Sequence, residues 1–207
     1  MIYLQQKLFN LSSHLISMPS AFNPHNTNPL VQYPQAWERA SKVKLLVLDV
    51  DGVLTNGQVW IAADGKESLK AFDIQDGLGI KLLEQCGIPT AIITGRNSKM
   101  VLARCEELGI KHVHMGVENK AIALTQVIKT LDLSPSDCAV MGDDWPDLPM
   151  MKNAGFRICP AQAHEAVKES AHFVTIHSGG DRAVREVCDL ILKAQNHYNE
   201  LLNKVRN

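Results

Sequence analysis

The chain has 207 residues, 45% of them hydrophobic and 21% charged, and a formal net charge of -1 at pH 7. Such a length suits one domain of ordinary size with an appendage, in the composition of a soluble globular protein. A charge this close to zero leaves no basic footprint for nucleic acid or an anionic membrane, and no apolar run approaches the roughly 20 residues that cross a bilayer.

The pattern divides near residue 40. Ile2, Leu4, Leu8, Leu11 and Leu15 fall near helical spacing and predict a short amphipathic helix. Gln5-Gln6-Lys7 interrupts that apolar stretch and no basic segment precedes it, so it does not read as a signal peptide. Pro19, Pro24, Pro29 and Pro34 then argue against regular structure. Residues 1–40 are expected to form an N-terminal arm, a helix followed by a Pro-rich irregular linker, and residues 41–207 the main domain.

From Lys42 onward strands and helices alternate. Strands are predicted at 43–49, 88–94, 111–115, 137–142, 156–159 and 172–176. Helices are predicted at about 76–86, 97–108, 117–131, 146–154 and 163–169, with a last one from about 181. This order implies right-handed crossovers and an α/β fold: a doubly wound, mostly parallel sheet covered on both faces. Ligands of such sheets bind beyond the carboxyl ends of the strands. One segment breaks the alternation. Residues 58–62 and 66–72 flank Ala63-Asp64-Gly65, a hairpin signal, because Asp-Gly tolerates the positive φ of a tight turn. An isolated hairpin is marginal in water, so Val59, Trp60, Ile61 and Leu69 call for a packing surface, a neighbouring subunit or the domain itself.

The five cysteines, Cys86, Cys105, Cys138, Cys159 and Cys188, include no CxxC pair and read as reduced core thiols of a cytoplasmic protein.

Polar clusters follow four of the strands. Asp49 and Asp51 close the apolar run Leu45–Leu48, and at a strand's period of two both carboxylates leave one face. Two like charges about 4 Å apart repel by roughly 4 kcal/mol at an effective dielectric near 20, so a cation between them or a reagent role for one would explain the pair. Solvated acids in a turn would be the bland explanation. Thr94-Gly95-Arg96 follows Ala91-Ile92-Ile93, Lys120 opens a helix, and Gly142-Asp143-Asp144 follows Cys138–Met141, with Asp147 three residues on. A strand end, a solvated lysine and helix caps would each account for one of these. Together they place acids, a hydroxyl and an ammonium at the ends of successive strands.

These motifs resemble those of the haloacid dehalogenase superfamily of phosphohydrolases over about residues 42–195, the match lying at Asp49/Asp51, Thr94, Lys120 and Asp143/Asp144. The segments Leu48–Thr55, Asp76-Gly77-Leu78-Gly79-Ile80, Ile93–Arg96 and Ala183–Cys188 narrow the resemblance to the capless subgroup acting on 3-deoxy-D-manno-octulosonate 8-phosphate. The resemblance implies a Rossmann-like core with a β-hairpin flap over 57–72. The spans from Asp51 to Thr94 and from Lys120 to Asp143 leave no room for a large cap domain.

It also implies roles. Asp49 would attack phosphorus to give an aspartyl-phosphate, and Asp51 would protonate the leaving alkoxide and then activate water. Mg²⁺ would be held by Asp49, the backbone carbonyl of Asp51 and Asp143. Thr94, Gly95 and Lys120 would bind the phosphoryl oxygens, and Arg96 the substrate carboxylate. Asp144 would orient Lys120 or the metal's waters, with Asp147 a further supporting candidate. The subgroup's substrate is a small acidic sugar phosphate of lipopolysaccharide precursor biosynthesis, and its members are homotetramers whose hairpins shield adjacent sites. Two departures from the subgroup pattern stand out: Gln75, where arginine is common, and Asp181-Arg182, where a basic residue and then glycine are usual. A nine-carbon ulosonic acid 9-phosphate is the alternative substrate. A phosphorelay receiver domain shares the Asp, Thr, Lys and Mg²⁺ set, but a second acid at Asp51 would hydrolyse its signal.

Overall fold

The computed structural model describes Tyr33 and residues 35–206. The predicted N-terminal helix and the prolines at 19, 24, 29 and 34 lie outside the described residues.

All six predicted strands form, as β1 (Leu45–Leu48), β4 (Thr90–Ile93), β5 (His112–His114), β6 (Cys138–Met141), β7 (Phe156–Cys159) and β8 (Phe173–Val174). They make one sheet in the order β5-β4-β1-β6-β7-β8, and every pairing is parallel. The continuous apolar runs have their physical reason in burial on both faces. In β1, Leu46 and Leu48 enter one core while Leu45 and Val47 enter the other.

The first face carries α1 (Ala36–Ala40), α2 (Ile74–Gln85), α3 (Lys99–Leu108) and α7 (Ala183–Ala194). The second carries α4 (Lys120–Thr130), α5 (Leu148–Met151) and α6 (Glu165–Ser170). Helix α1 is too short to show a period in sequence, yet Ala36 and Ala40 are wholly buried, so the packed body begins before Lys42. The predicted last helix is two: α7 and α8 (Tyr198–Arg206), parted where Asn196 takes φ 65°.

The hairpin forms as β2 (Trp60–Ile61) and β3 (Glu67–Leu69), an antiparallel pair outside the main sheet. Ala62 N–H donates to Lys66 O at 2.8 Å, and Gly65 takes the φ of +78° that the turn requires. Trp60 is 54% exposed and Ile61 59%, so this ribbon presents apolar surface rather than burying it.

Two long-range contacts fix the turn after β1. Gly179 packs so closely on it that a Cβ there would stand 2.9 Å from Thr55 O and nearer still to Gly52 O. Gln162 bridges the same two loops, donating to Gly52 O at 2.6 Å and accepting from Gly179 N–H at 2.8 Å. Helix α7 starts just beyond Gly179-Gly180, with Arg182 at φ 70° and no side-chain cap of its own. Buried Asp76, on α2, supplies the cap by accepting from Arg185 N–H at 2.7 Å.

Candidate active site

The carboxyl ends of β1, β4 and β6 and the start of α4 surround one cleft of ≈ 310 Å³. Every residue singled out in the sequence as a candidate lines it: Asp49, Asp51, Thr94, Gly95, Arg96, Lys120, Asp143, Asp144 and Asp147.

At its floor lies a buried carboxylate cluster. Asp49, Asp143 and Asp147 each offer an oxygen within 4.8 Å of the others. Lys120 Nζ stands 2.6 Å from Asp147 Oδ1 and 2.9 Å from Asp49 Oδ1. Lys120 is the first residue of α4, at the positive end of the helix dipole, where a cation is ordinarily disfavoured. Burial alone would lower its pKa, but the charges of Asp49 and Asp147 outweigh that and raise it. For the carboxylates it is burial that wins. Burial, reinforced by the charge of Asp147, raises Asp49 to about 6 and Asp143 to about 7.

Asp147 exceeds the part the sequence suggested for it. The single turn Trp145–Asp147 carries it back under the cleft, 1% exposed. Its Oδ1 meets Lys120, and its Oδ2 accepts from the backbone N–H groups of Asp143 at 2.9 Å and Asp144 at 3.2 Å. Asp144, for which the sequence suggested orienting Lys120 or the metal's waters, is exposed at the cleft and accepts from Trp145 N–H at 2.8 Å. The orienting contact to Lys120 belongs to Asp147.

A divalent cation fits this cluster. One ammonium faces three acids, which leaves uncompensated negative charge in a buried place. Asp49 Oδ1 is near Lys120 but out of hydrogen-bond alignment, a buried oxygen with no donor. Both oxygens of Asp147 are already engaged, so Asp49 and Asp143 are the carboxylates free to ligate, and oxygen donors suit Mg²⁺. Gly52 makes room for this: at φ +91°, a Cβ there would lie 2.8 Å from Asp143 Oδ1 and closer to Oδ2.

Asp51 stands apart from that cluster. The strand ends at Leu48, so strand alternation does not govern the two acids that follow it. Its carboxylate pairs with Lys70 of the hairpin and lies 3.9 Å from Arg96 Nε. Thr94 is buried at the end of β4, held by its N–H to His114 O at 2.9 Å. Arg96 stays 45% exposed at its side chain, with Nη2 3.4 Å from Glu67 Oε2. Lys70 and Glu67 are site neighbours that the sequence did not reveal, since nothing in the period of a hairpin strand says which loop it overhangs. Of the residues that depart from the subgroup pattern, Gln75 and Arg182 share a different cleft with Arg185 and Glu186.

Residues 113–185 match the haloacid dehalogenase-like hydrolase family. The 3-deoxy-D-manno-octulosonate 8-phosphate phosphatase of Salmonella typhimurium is 43% identical over 167 residues, covering 81% of this chain and 88% of that one. The chain belongs to the 3-deoxy-D-manno-octulosonate 8-phosphate phosphatase family of haloacid dehalogenase-like hydrolases. The Escherichia coli K12 member of this phosphatase family is 44% identical over 162 residues, covering 78% of this chain and 86% of that one. The Moraxella catarrhalis member, solved with magnesium ion, phosphate ion and KDO, superposes with a TM-score of 0.80 at 44% identity, over 83% of this chain and 98% of that one. A cobalt-bound member from Haemophilus influenzae superposes at 0.75 with 37% identity, over 77% of this chain and 93% of that one. As a member of this phosphatase family the protein is an enzyme, which excludes the receiver-domain alternative.

Proposed function

We propose that the protein hydrolyses 3-deoxy-D-manno-octulosonate 8-phosphate to the free sugar acid and phosphate, with Mg²⁺ as cofactor. The observation that carries the mechanism is the separation of the two acids: Asp49 lies in the buried cluster under Lys120, and Asp51 lies outside it, beside the hairpin. The substrate class is supported by relatives of that name at 43% and 44% identity and by the sugar acid held in the Moraxella catarrhalis structure.

In this reading Asp49 attacks phosphorus and forms an aspartyl-phosphate while the ester P–O bond breaks. Asp51 gives its proton to the departing sugar oxygen, then takes one from the water that cleaves the acyl phosphate. Thr94, the Gly95 backbone and Lys120 bind the phosphoryl oxygens, and the N-terminus of α4 adds its dipole toward the same anion. Asp49, the Asp51 backbone carbonyl and Asp143 would hold the cation. When bound, Mg²⁺ offsets the carboxylate charge and lets a dianionic phosphate approach. Asp147 fixes the ammonium of Lys120. Arg96, half-exposed at the mouth, offers a guanidinium to the substrate carboxylate.

The exposed Trp60, Ile61 and Leu69 on a two-stranded ribbon support a homotetramer in which each hairpin packs on a neighbour and helps to shield its site. Five unpaired cysteines support a reducing, cytoplasmic setting. The substrate is tested by comparing kcat/KM for eight- and nine-carbon ulosonic acid phosphates in Mg²⁺. A clear preference for the eight-carbon acid is expected; preference for the nine-carbon acid, or flat low activity on both, overturns the assignment.

A further inference from the structure

The Lys70 side chain is 1% exposed, although it comes from a hairpin whose apolar residues face outward. An ammonium so buried is strongly unfavourable unless it is paired. Its partners are Asp51 Oδ1 and, at 2.8 Å, Glu67 Oε1. Glu67 Oε2 in turn lies 3.4 Å from Arg96 Nη2, and Arg96 Nε lies 3.9 Å from Asp51 Oδ2. Two acids and two bases thus close a ring in which each oxygen of Asp51 faces one cation.

We propose that Lys70 is a positioning residue for proton transfer: it aims the Asp51 carboxyl at the sugar oxygen that leaves phosphorus, and Glu67 holds Lys70 in place. This rests on the role given to Asp51 above. Asp51 sits on a turn only two residues from Asp49. Without a partner on the hairpin side, its carboxylate is free to swing toward the Lys120 ammonium or out to solvent, and either movement takes it off the leaving oxygen. Lys120 pairs with the attacking acid, and Lys70 pairs with the proton-donating acid. The step balances within the site. Asp49 oxygen bonds to phosphorus as the phosphorus–sugar oxygen bond breaks; the Asp51 proton goes to that oxygen, and water later restores it.

The test exploits the leaving group. A sugar alkoxide needs the proton, whereas p-nitrophenolate leaves without it. Single-turnover phosphorylation of the enzyme by each substrate, read by rapid quench, separates proton delivery from general damage. Lys70→Met should slow phosphorylation by the sugar phosphate about 100-fold, the low end of what general acid catalysis supplies. Phosphorylation by p-nitrophenyl phosphate should stay within a few-fold, and Lys70→Arg should recover part of the loss. Glu67→Gln, which keeps the buried lysine and removes one partner, should act in the same direction by a smaller factor and serves if Lys70→Met fails to fold. Equal slowing with both substrates, or none with either, overturns the proposal. Asp51→Asn is the control: full sugar-phosphate activity there would sink the reading of Asp51 itself, whereas an inactive Asp51→Asn beside an unaffected Lys70→Met removes only the positioning role.

Discussion

Replacing Gly52 with alanine puts a methyl group where the Asp143 carboxylate lies. Two costs can be separated. Gly52 holds φ +91°, and a side chain in that region costs about 1–2 kcal/mol. For a chain of this size that lowers Tm by on the order of 5 °C. The second cost falls on the site. A Cβ would lie 2.8 Å from Asp143 Oδ1 and closer to Oδ2, so the carboxylate must rotate or shift by about 1 Å to regain ordinary contact. The far end of a side chain can make that movement cheaply, so the fold survives while the carboxylate leaves its place. Misplacement on that scale costs about 100-fold in rate, and loss of a supporting contact at a metal costs about 10–100-fold in affinity. Calorimetric titration of Gly52→Ala with Mg²⁺, alongside kcat/KM and a melting curve, reads both costs. The expected result is a modest fall in Tm with a Mg²⁺ affinity at least 10-fold weaker. Wild-type affinity and turnover with only a lower Tm would refute the claim that Gly52 exists to seat Asp143 as a ligand.

Metal binding should depend steeply on pH. With burial and the charge of Asp147 raising Asp49 to about 6 and Asp143 to about 7, protons compete with Mg²⁺ for the same oxygens. Affinity measured by calorimetry should rise from about pH 5.5 and level off near pH 8; a flat profile contradicts the assigned ligands. Asp76 offers a stability test away from the metal. Burial, reinforced by Asp73 and Asp181, raises its pKa to about 6, so its folded form holds a proton that the unfolded chain has released. That stabilisation is complete below about pH 4 and is lost as pH rises through 6, a change worth about 3 kcal/mol. Asp76→Asn keeps an acceptor for the Arg185 N–H and should remove this pH dependence in urea unfolding, being at least as stable as wild type at pH 8. Asp76→Asn falling as far as Asp76→Ala at that pH would show that the charge itself holds the end of α7.

The sheet was legible because parallel strands buried on both faces leave continuous apolar runs, as in Leu45–Leu48 and Cys138–Met141. The cleft was legible because such sheets present their strand ends on one edge, so acids after β1 and β6, a hydroxyl after β4 and a lysine at α4 had to converge. What sequence could not resolve was local rotation. Asp144 and Asp147 look alike on paper, and only the turn Trp145–Asp147 decides that one faces solvent and the other Lys120. Nor could the spacing of Asp49 and Asp51 reveal that they part company, since the strand stops before either and Lys70 draws Asp51 away. The ring through Lys70, Glu67 and Arg96 depends on how the hairpin leans over the cleft, which no residue period encodes. Helix α1 was missed because five residues hold little more than one turn.

In the proposed reaction Asp49 carries the phosphoryl group and Asp51 moves the proton. Acid quench of the Mg²⁺-loaded enzyme during turnover of the eight-carbon sugar phosphate, followed by peptide mass spectrometry, locates the phosphoryl group. Phosphate is expected on Asp49, and none in Asp49→Asn, which should be inactive. Phosphate on another residue, or full turnover by Asp49→Asn, would contradict it.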